Sequence, residues 1–133
     1  MKHLFDTCKE AIEYAASTKS FGVFYSEKSK PSLQMHVHEC CEIFFSLSDG
    51  NTFLIDDKVY DVKANDLFII NQYESHKITQ VDKMVHERIV LSIHPEYTKR
   101  LSTAETDLDA CFSARPTNFS HKISLTKEQQ NRF

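Results

Sequence analysis

Between Phe21 and Ile93 the sequence falls into short apolar stretches separated by polar turns, and this rhythm constrains the fold more than any other feature. "FGVFYSE", "SLQMHVH", "CEIFFSLS", "TFLID", "KVYDV", "DLFIIN", "HKITQV" and the longer "MVHERIVLSI" are rich in β-branched and aromatic residues. Turn signals recur at intervals of about eight to twelve residues, with no helical period between them, which predicts an all-β barrel or sandwich rather than βαβ units. Gly22 and Gly50 are the only glycines. Left-handed turn positions must therefore fall to Asp and Asn, with Asp49, Asn51, Asp56, Asp57 and Asn65 as candidates. "LIDDKVY" is the clearest case, with Asp56 and Asp57 as a tight hairpin turn between two apolar runs.

Helical patterns flank the strands. Leu4, Phe5, Cys8, Ala11, Ile12, Ala15 and Ala16 share one face of an amphipathic helix expected over residues 3–16. Pro95 suits a first helical turn, and Ser102 and Glu105 are spaced as a capping box for a second helix. "SARPTNFSHKIS" reads as a linker, and Thr126 with Gln129 announces a further helix that the chain leaves unfinished at Phe133. The expected organisation is an N-terminal helical arm (1–20), a β-barrel core (21–94), and C-terminal helices with a linker (95–133). From the cut-off helix, an N-terminal part of something longer is expected.

The chain has 133 residues, enough for one core, and 16 Lys and Arg against 19 Asp and Glu give a net charge of -3. That balance lacks the basic footprint of a nucleic-acid binder. Cys8, Cys40, Cys41 and Cys111 are too few and too irregular for a disulfide scaffold, and no segment resembles a signal peptide or a membrane span. A cytoplasmic protein with reduced thiols is expected.

The chemistry concentrates in "MHVHECCEIFFSLSDG". His36 and His38 share a face on an extended strand, Glu42 joins them if residues 39–41 turn, and His76 follows at the end of "NDLFIINQYESH". Three imidazoles and a carboxylate can hold Fe, Mn, Ni, Zn or Co, can hydrogen-bond a polar ligand without any ion, or can pair with each other and with backbone. Alternation sets Glu42, Phe44 and Ser46 on one face, making Phe44 and Ser46 candidate pocket walls, an arrangement that would suit a sugar. Cys40 and Cys41 read as small buried hydrophobes, since nothing in the sequence lowers their pKa. His86, His94 and His121 read as surface or turn residues, and Lys28, Lys30, Lys99 and Arg100 as solvated surface.

His36, His38, Glu42 and His76 stand in the spacing H-x-H-x3-E followed by a second motif ending in His, which resembles the two-motif signature of the cupin barrel. Asp49, Asn65 and Tyr73 replace glycines of that signature, Asn71 replaces a proline, and Gln80 an asparagine. Tyr73 is the least tolerable replacement, so the loop there is expected to depart from that of cupin enzymes. A closer resemblance runs through "HVHECCEIFFSLSDGNTFLIDDKVYDVKANDLFIINQYESHKI" and "ERIVLSIHPEY": it is similar to the N-terminal half of AraC-type transcription regulators, with Phe45, Asp49, Asp57 and Asn65 as departures. The resemblance implies an all-β, cupin-like double-stranded β-helix (jelly-roll) barrel with short flanking helices. It implies an effector-binding, non-enzymatic domain that takes a small molecule among His36, His38, Glu42, Phe44, Ser46 and His76. No cofactor is required on this reading, although His36, His38, Glu42 and His76 could hold a divalent transition metal. The implied partners are the effector, a second copy in a homodimer, and DNA only through a helix-turn-helix domain that this chain lacks; no membrane is involved. The alternative is a stand-alone cupin metalloenzyme, a dioxygenase or isomerase, with a three-His, one-Glu site.

Overall fold

The structure, a computed structural model, describes residues 3–27, 37–49, 51–80 and 86–132. His36 and most of the strand expected over 32–38 lie outside the described residues.

Strand β1 (Leu4–Phe5) precedes helix α1 (Cys8–Thr18), and both lean on β2 (Phe21–Ser26). The helix expected from residue 3 thus starts later, because Leu4 and Phe5 pair in parallel with Val23 and Phe24 instead. Thr7 caps α1 by accepting from the Glu10 N–H at 3.1 Å, and Lys19, at φ 52°, closes it in the left-handed conformation. Ala11 and Ala15, one turn apart, are fully buried. The helix lies so close to β2 that a side chain at Gly22 would meet the Ala11 backbone, its Cβ lying 2.9 Å from the Ala11 Cα.

The barrel is made by two sheets. One runs in the order β1, β2, β8 (Arg88–Ile93), β3 (Cys41–Ser46), β6 (Asp66–Ile70) and β9 (Lys122–Ser124). The other has β4 (Asn51–Ile55) between β5 (Lys58–Val62) and β7 (His76–Gln80). The strands alternate in and out, so Phe24, Phe44, Phe68, Ile70 and Val90 from the first sheet meet Phe53, Ile55 and Val62 from the second. Phe44 and Phe53 meet edge to face across the sheets, with ring centroids 4.9 Å apart.

Asp56 at φ 55° opens the two-residue β4–β5 turn, and Asn65 at φ 72° turns the chain into β6. Asp49 and Asp57 do not adopt the left-handed backbone. Tyr73 does, at φ 59°, so the backbone there is left-handed despite the tyrosine side chain. Its backbone N–H donates to the His38 carbonyl at 2.9 Å, an over-determined contact that sustains the strain. Tyr73→Gly is therefore expected to stabilise the protein by about 0.5–1 kcal/mol, the relieved left-handed strain of about 1–2 kcal/mol less the entropy glycine adds to the unfolded chain. Chemical denaturation of the two proteins checks it, and an unchanged or lower stability would contradict the strain argument.

After β8, α2 (Pro95–Leu101) begins with Pro95 as expected, and His94 caps it. No helix begins at Ser102: its hydroxyl donates to the Thr98 carbonyl at 2.7 Å and the residue ends α2. The next helix, α3 (Ala110–Ser113), is a single turn. The expected linker instead delivers β9 to the edge of β6, with Leu67 opposite Ile123. The capping box at Thr126 and Gln129 forms reciprocally at α4 (Lys127–Asn131). Among the described residues no helix is long and apolar enough to cross a membrane.

Candidate functional site

Glu42 is the second residue of β3 and points into the barrel, only 4% exposed. Residues 39 and 40 bend just before the strand, which brings His38 back over it. The His38 Nδ1 lies 2.9 Å from the Cys40 carbonyl and its Nε2 3.1 Å from Glu42 Oε2. His76 opens β7 on the opposite sheet, with Nδ1 2.8 Å from the Glu74 carbonyl and Nε2 3.2 Å from the same carboxylate oxygen. One carboxylate oxygen therefore joins two imidazoles from two sheets.

The hydrogen bonds fix the tautomers. A backbone carbonyl can only accept, so each Nδ1 carries a hydrogen, and in neutral rings both Nε2 lone pairs would face the carboxylate. That arrangement is stable only with a proton on Nε2 or a cation among the three atoms. Burial alone would raise the Glu42 pKa, but the charge of His76 and the hydrogen bonds from His38 and His76 outweigh it and hold the carboxyl well below the usual range. Burial likewise works against a charged His76, and the Glu42 carboxylate outweighs it and raises the imidazole above its ordinary value.

The same geometry fits a metal. The two Nε2 atoms and Oε2 lie within 4.8 Å of one another. Two imidazoles with one carboxylate form a donor set known for divalent iron, and Nδ1–H groups anchored on carbonyls are the usual support of metal-bound histidine. His38, Glu42 and His76 would hold the ion, which would supply a Lewis-acid centre with open positions toward the cavity.

That cavity, about 490 Å³, lies beside the group. Phe24, Phe44, Phe53, Ile78 and Val90 form its apolar wall, His38, Glu42 and His76 its polar end, and Cys8 and Ile12 of α1 line another side. Arg88 also lines it. Of the candidate residues, His38, Glu42, Phe44 and His76 meet at this cavity, whereas the buried Ser46 donates to the Ser48 carbonyl at 2.7 Å and is not on its wall. Burial pushes the Cys40 thiol up to about 12 and the Cys41 thiol up to about 11, so neither offers a thiolate at neutral pH.

Sequence reasoning missed Arg88, although its phase with Val90 along β8 marks it as inward-facing. It also missed a second polar cluster behind the His76 loop. Glu74 Oε1 accepts from the Asn71 N–H at 3.1 Å, and Oε2 lies 2.7 Å from Arg115 Nη1 and 2.9 Å from His121 Nε2. Tyr60 holds the other face of His121 at 2.8 Å. His86 and His121, expected at the surface, are both buried, and His94 caps α2. Burial raises the Glu74 pKa, but His121 and then Arg115 outweigh it and bring the carboxyl down to about 2. A depressed folded pKa contributes stability above the unfolded value, here 4.5, and loses it as pH falls. Between pH 5 and 3 the protein is expected to lose roughly 2 kcal/mol more than Glu74→Gln, by urea denaturation at each pH. Parallel pH profiles for the two proteins would refute the assignment.

No protein-family profile matches the chain, and no curated protein is significantly similar to it. Solved structures do resemble it. A cupin protein from Bacteroides fragilis aligns at TM-score 0.47 and 16% identity over 56% of this chain and 64% of its own. A protein from Thermotoga maritima described as a predicted oxalate decarboxylase aligns at 0.49 and 23% identity, over 62% and 73%. A variant of the Bacillus subtilis oxalate decarboxylase aligns at 0.50 and 13% identity, over 63% of this chain and 24% of the enzyme. The chain thus spans less than two thirds of the Bacteroides protein and about a quarter of the Bacillus enzyme. These similarities correct the expectation of a non-enzymatic domain: an oxalate decarboxylase is built on this barrel, so the fold gives no ground for excluding catalysis. What the similarity establishes is the architecture, and the chain folds as a cupin barrel.

Proposed function

We propose that the chain is the effector-binding and dimerisation domain of an AraC-type transcription regulator, with DNA contacted by a separate helix-turn-helix part of the protein. The observation that carries the reading is the concave cavity: an apolar chamber with one polar end, flanked by a helix, is what a small-molecule site needs. The sequence pattern from His36 to Tyr97 supports the family. Linkage supplies the mechanism, since a ligand that favours one packing of α1 or of the segment 110–132 biases whatever is attached to them. Glu74 joins the cavity to the segment 110–132, its carbonyl holding His76 and its carboxylate holding Arg115 and His121.

A second reading, a cupin metalloenzyme of the dioxygenase or isomerase kind, is favoured by the two Nε2 atoms converging on Glu42. Metal analysis of protein purified without a histidine tag, combined with sedimentation equilibrium, separates the two. The regulator reading expects a dimer with far less than one metal per chain. A monomer holding one iron or manganese per chain, lost in His76→Ala, would instead establish the metalloenzyme.

A further inference from the structure

The two oxygens of Glu42 are not used alike. Oε2 takes both imidazoles, at 3.1 Å from His38 Nε2 and 3.2 Å from His76 Nε2. Oε1 makes no hydrogen bond among the described residues. The unpartnered side-chain atoms sealed from solvent among those residues are His86 Nε2 and Ser92 Oγ, and Oε1 is not one of them. It therefore opens on the space that Glu42 lines, which is the cavity. The side chain is only 5% exposed, and a carboxylate oxygen left without a donor in an apolar chamber is costly, so water or a ligand must supply one.

The surroundings of Oε1 select the rest of the molecule. Phe44, the next inward residue of β3, stands opposite Val90, and Phe53 of the facing sheet stands opposite Ile78, so apolar side chains continue directly from the carboxylate. The acids and bases of the lining already balance, with Glu13 and Glu42 against Lys9 and Arg88. Lys9 and Glu13 pair with each other at 3.9 Å, and Arg88 is engaged by the His86 carbonyl at 3.0 Å and by the Phe24 ring. A charged ligand would bring an unmatched charge into this space at a high desolvation cost.

We propose that Glu42 Oε1 is the acceptor for a ligand hydroxyl, and that the molecule the cavity takes is an uncharged, largely apolar alcohol or phenol. Its O–H donates to Oε1, and its hydrocarbon body lies along Phe44, Phe53, Ile78 and Val90. A sugar fits less well, because these walls would strand most of its hydroxyls without partners. The inference rests on reading the cavity as a small-molecule site and narrows its ligand to one chemical class.

Isothermal titration of the chelator-treated 133-residue chain at neutral pH with 4-butylphenol and 5-phenyl-1-pentanol, each against its methyl ether, tests it. A hydrogen bond to a charged acceptor is worth about ten-fold in affinity, so at least one hydroxyl compound is expected to bind tighter than its ether by about that factor or more. 4-Butylbenzoate and 4-butylbenzylamine, which carry a charge on the same body, should bind clearly more weakly than 4-butylphenol. Glu42→Gln keeps the shape and removes the charge, so the preference for hydroxyl over ether should fall to about three-fold or less. An ether that binds as well as its hydroxyl compound would overturn the inference while leaving a small-molecule site in place. A preference that Glu42→Gln leaves unchanged would overturn it too, by placing the acceptor elsewhere, and so would a charged analogue that binds as tightly as 4-butylphenol. If nothing binds, the inference falls together with the cavity reading. The hydroxyl–ether comparison needs only the parent protein, so poor folding of the variant leaves the test intact.

Discussion

Glu42→Ala is expected to lower the stability of the metal-free protein by about 3 kcal/mol, the lower end of what removing one partner of a buried ion pair costs. The lower end applies because His76, whose pKa the carboxylate raises, can lose its proton once Glu42 is gone. Glu42→Gln keeps the volume and can donate to one neutral Nε2, so it should lose only about half as much. The pH profile carries the signature. His76 has a raised folded pKa, so its contribution is fully present below the ordinary value of 6.5 and fades as pH rises through the folded pKa. The metal-free parent should therefore lose stability above pH 6.5, and Glu42→Ala should not. Urea denaturation with a chelator across that range measures both effects. An alanine variant as stable as the parent, with the same profile, would show that the three side chains do not form one unit.

The second large effect is expected at Gly22. A valine there has no room, since even its Cβ would overlap the Ala11 backbone, and neither a helix nor a sheet strand can yield by rotating a side chain. Either α1 lifts from β2 or β2 bends away from β8. Gly22→Val should cost about 3 kcal/mol, the upper end for overpacking a core, despite the better strand propensity of valine. Undocking α1 would expose Ala11 and Ala15 and widen the cavity that Cys8 and Ile12 line. Limited trypsin digestion should then cut the variant at Lys9 or Lys19 much faster than the parent. Equal digestion rates and equal stability would mean that the helix sits further from the sheet.

Local signals in the sequence were reliable where the structure is also local. Strands such as β2 and β5 alternate visibly because the barrel buries one face of each, whereas β3 and β6 are largely buried on both, and Asp56 and Asn65 take left-handed positions because few other residues in those turns tolerate them. His38, Glu42 and His76 could be picked out because a strand period and a short bend determine which residues face inward together. Other features depend on distant contacts. Leu4 and Phe5 fit a helical face but find partners in β2, and the Ser102 hydroxyl turns back to Thr98 rather than forward to a new helix. Glu74 meets Arg115 and His121 across more than forty residues, which no spacing rule announces. His86 looked like a turn residue, and only its packing on Phe44 reveals it as buried. Tyr73 takes a left-handed backbone at a steric cost of ~1–2 kcal/mol, sustained by a hydrogen bond to the His38 carbonyl that lies far away in the sequence.

The central claim is that the chamber beside Glu42 is a binding site for a small organic molecule. Thermal-shift measurements across a set of small metabolites and organic acids, on the parent and on Ile78→Trp, test it most directly, because Ile78 lines the chamber and an indole there would intrude on its apolar wall. A ligand that binds the folded state raises the apparent Tm by mass action. The account predicts at least one compound that raises the Tm of the parent and shifts the folded tryptophan variant clearly less. Compounds that shift both proteins equally, or none that shifts the parent, would contradict it.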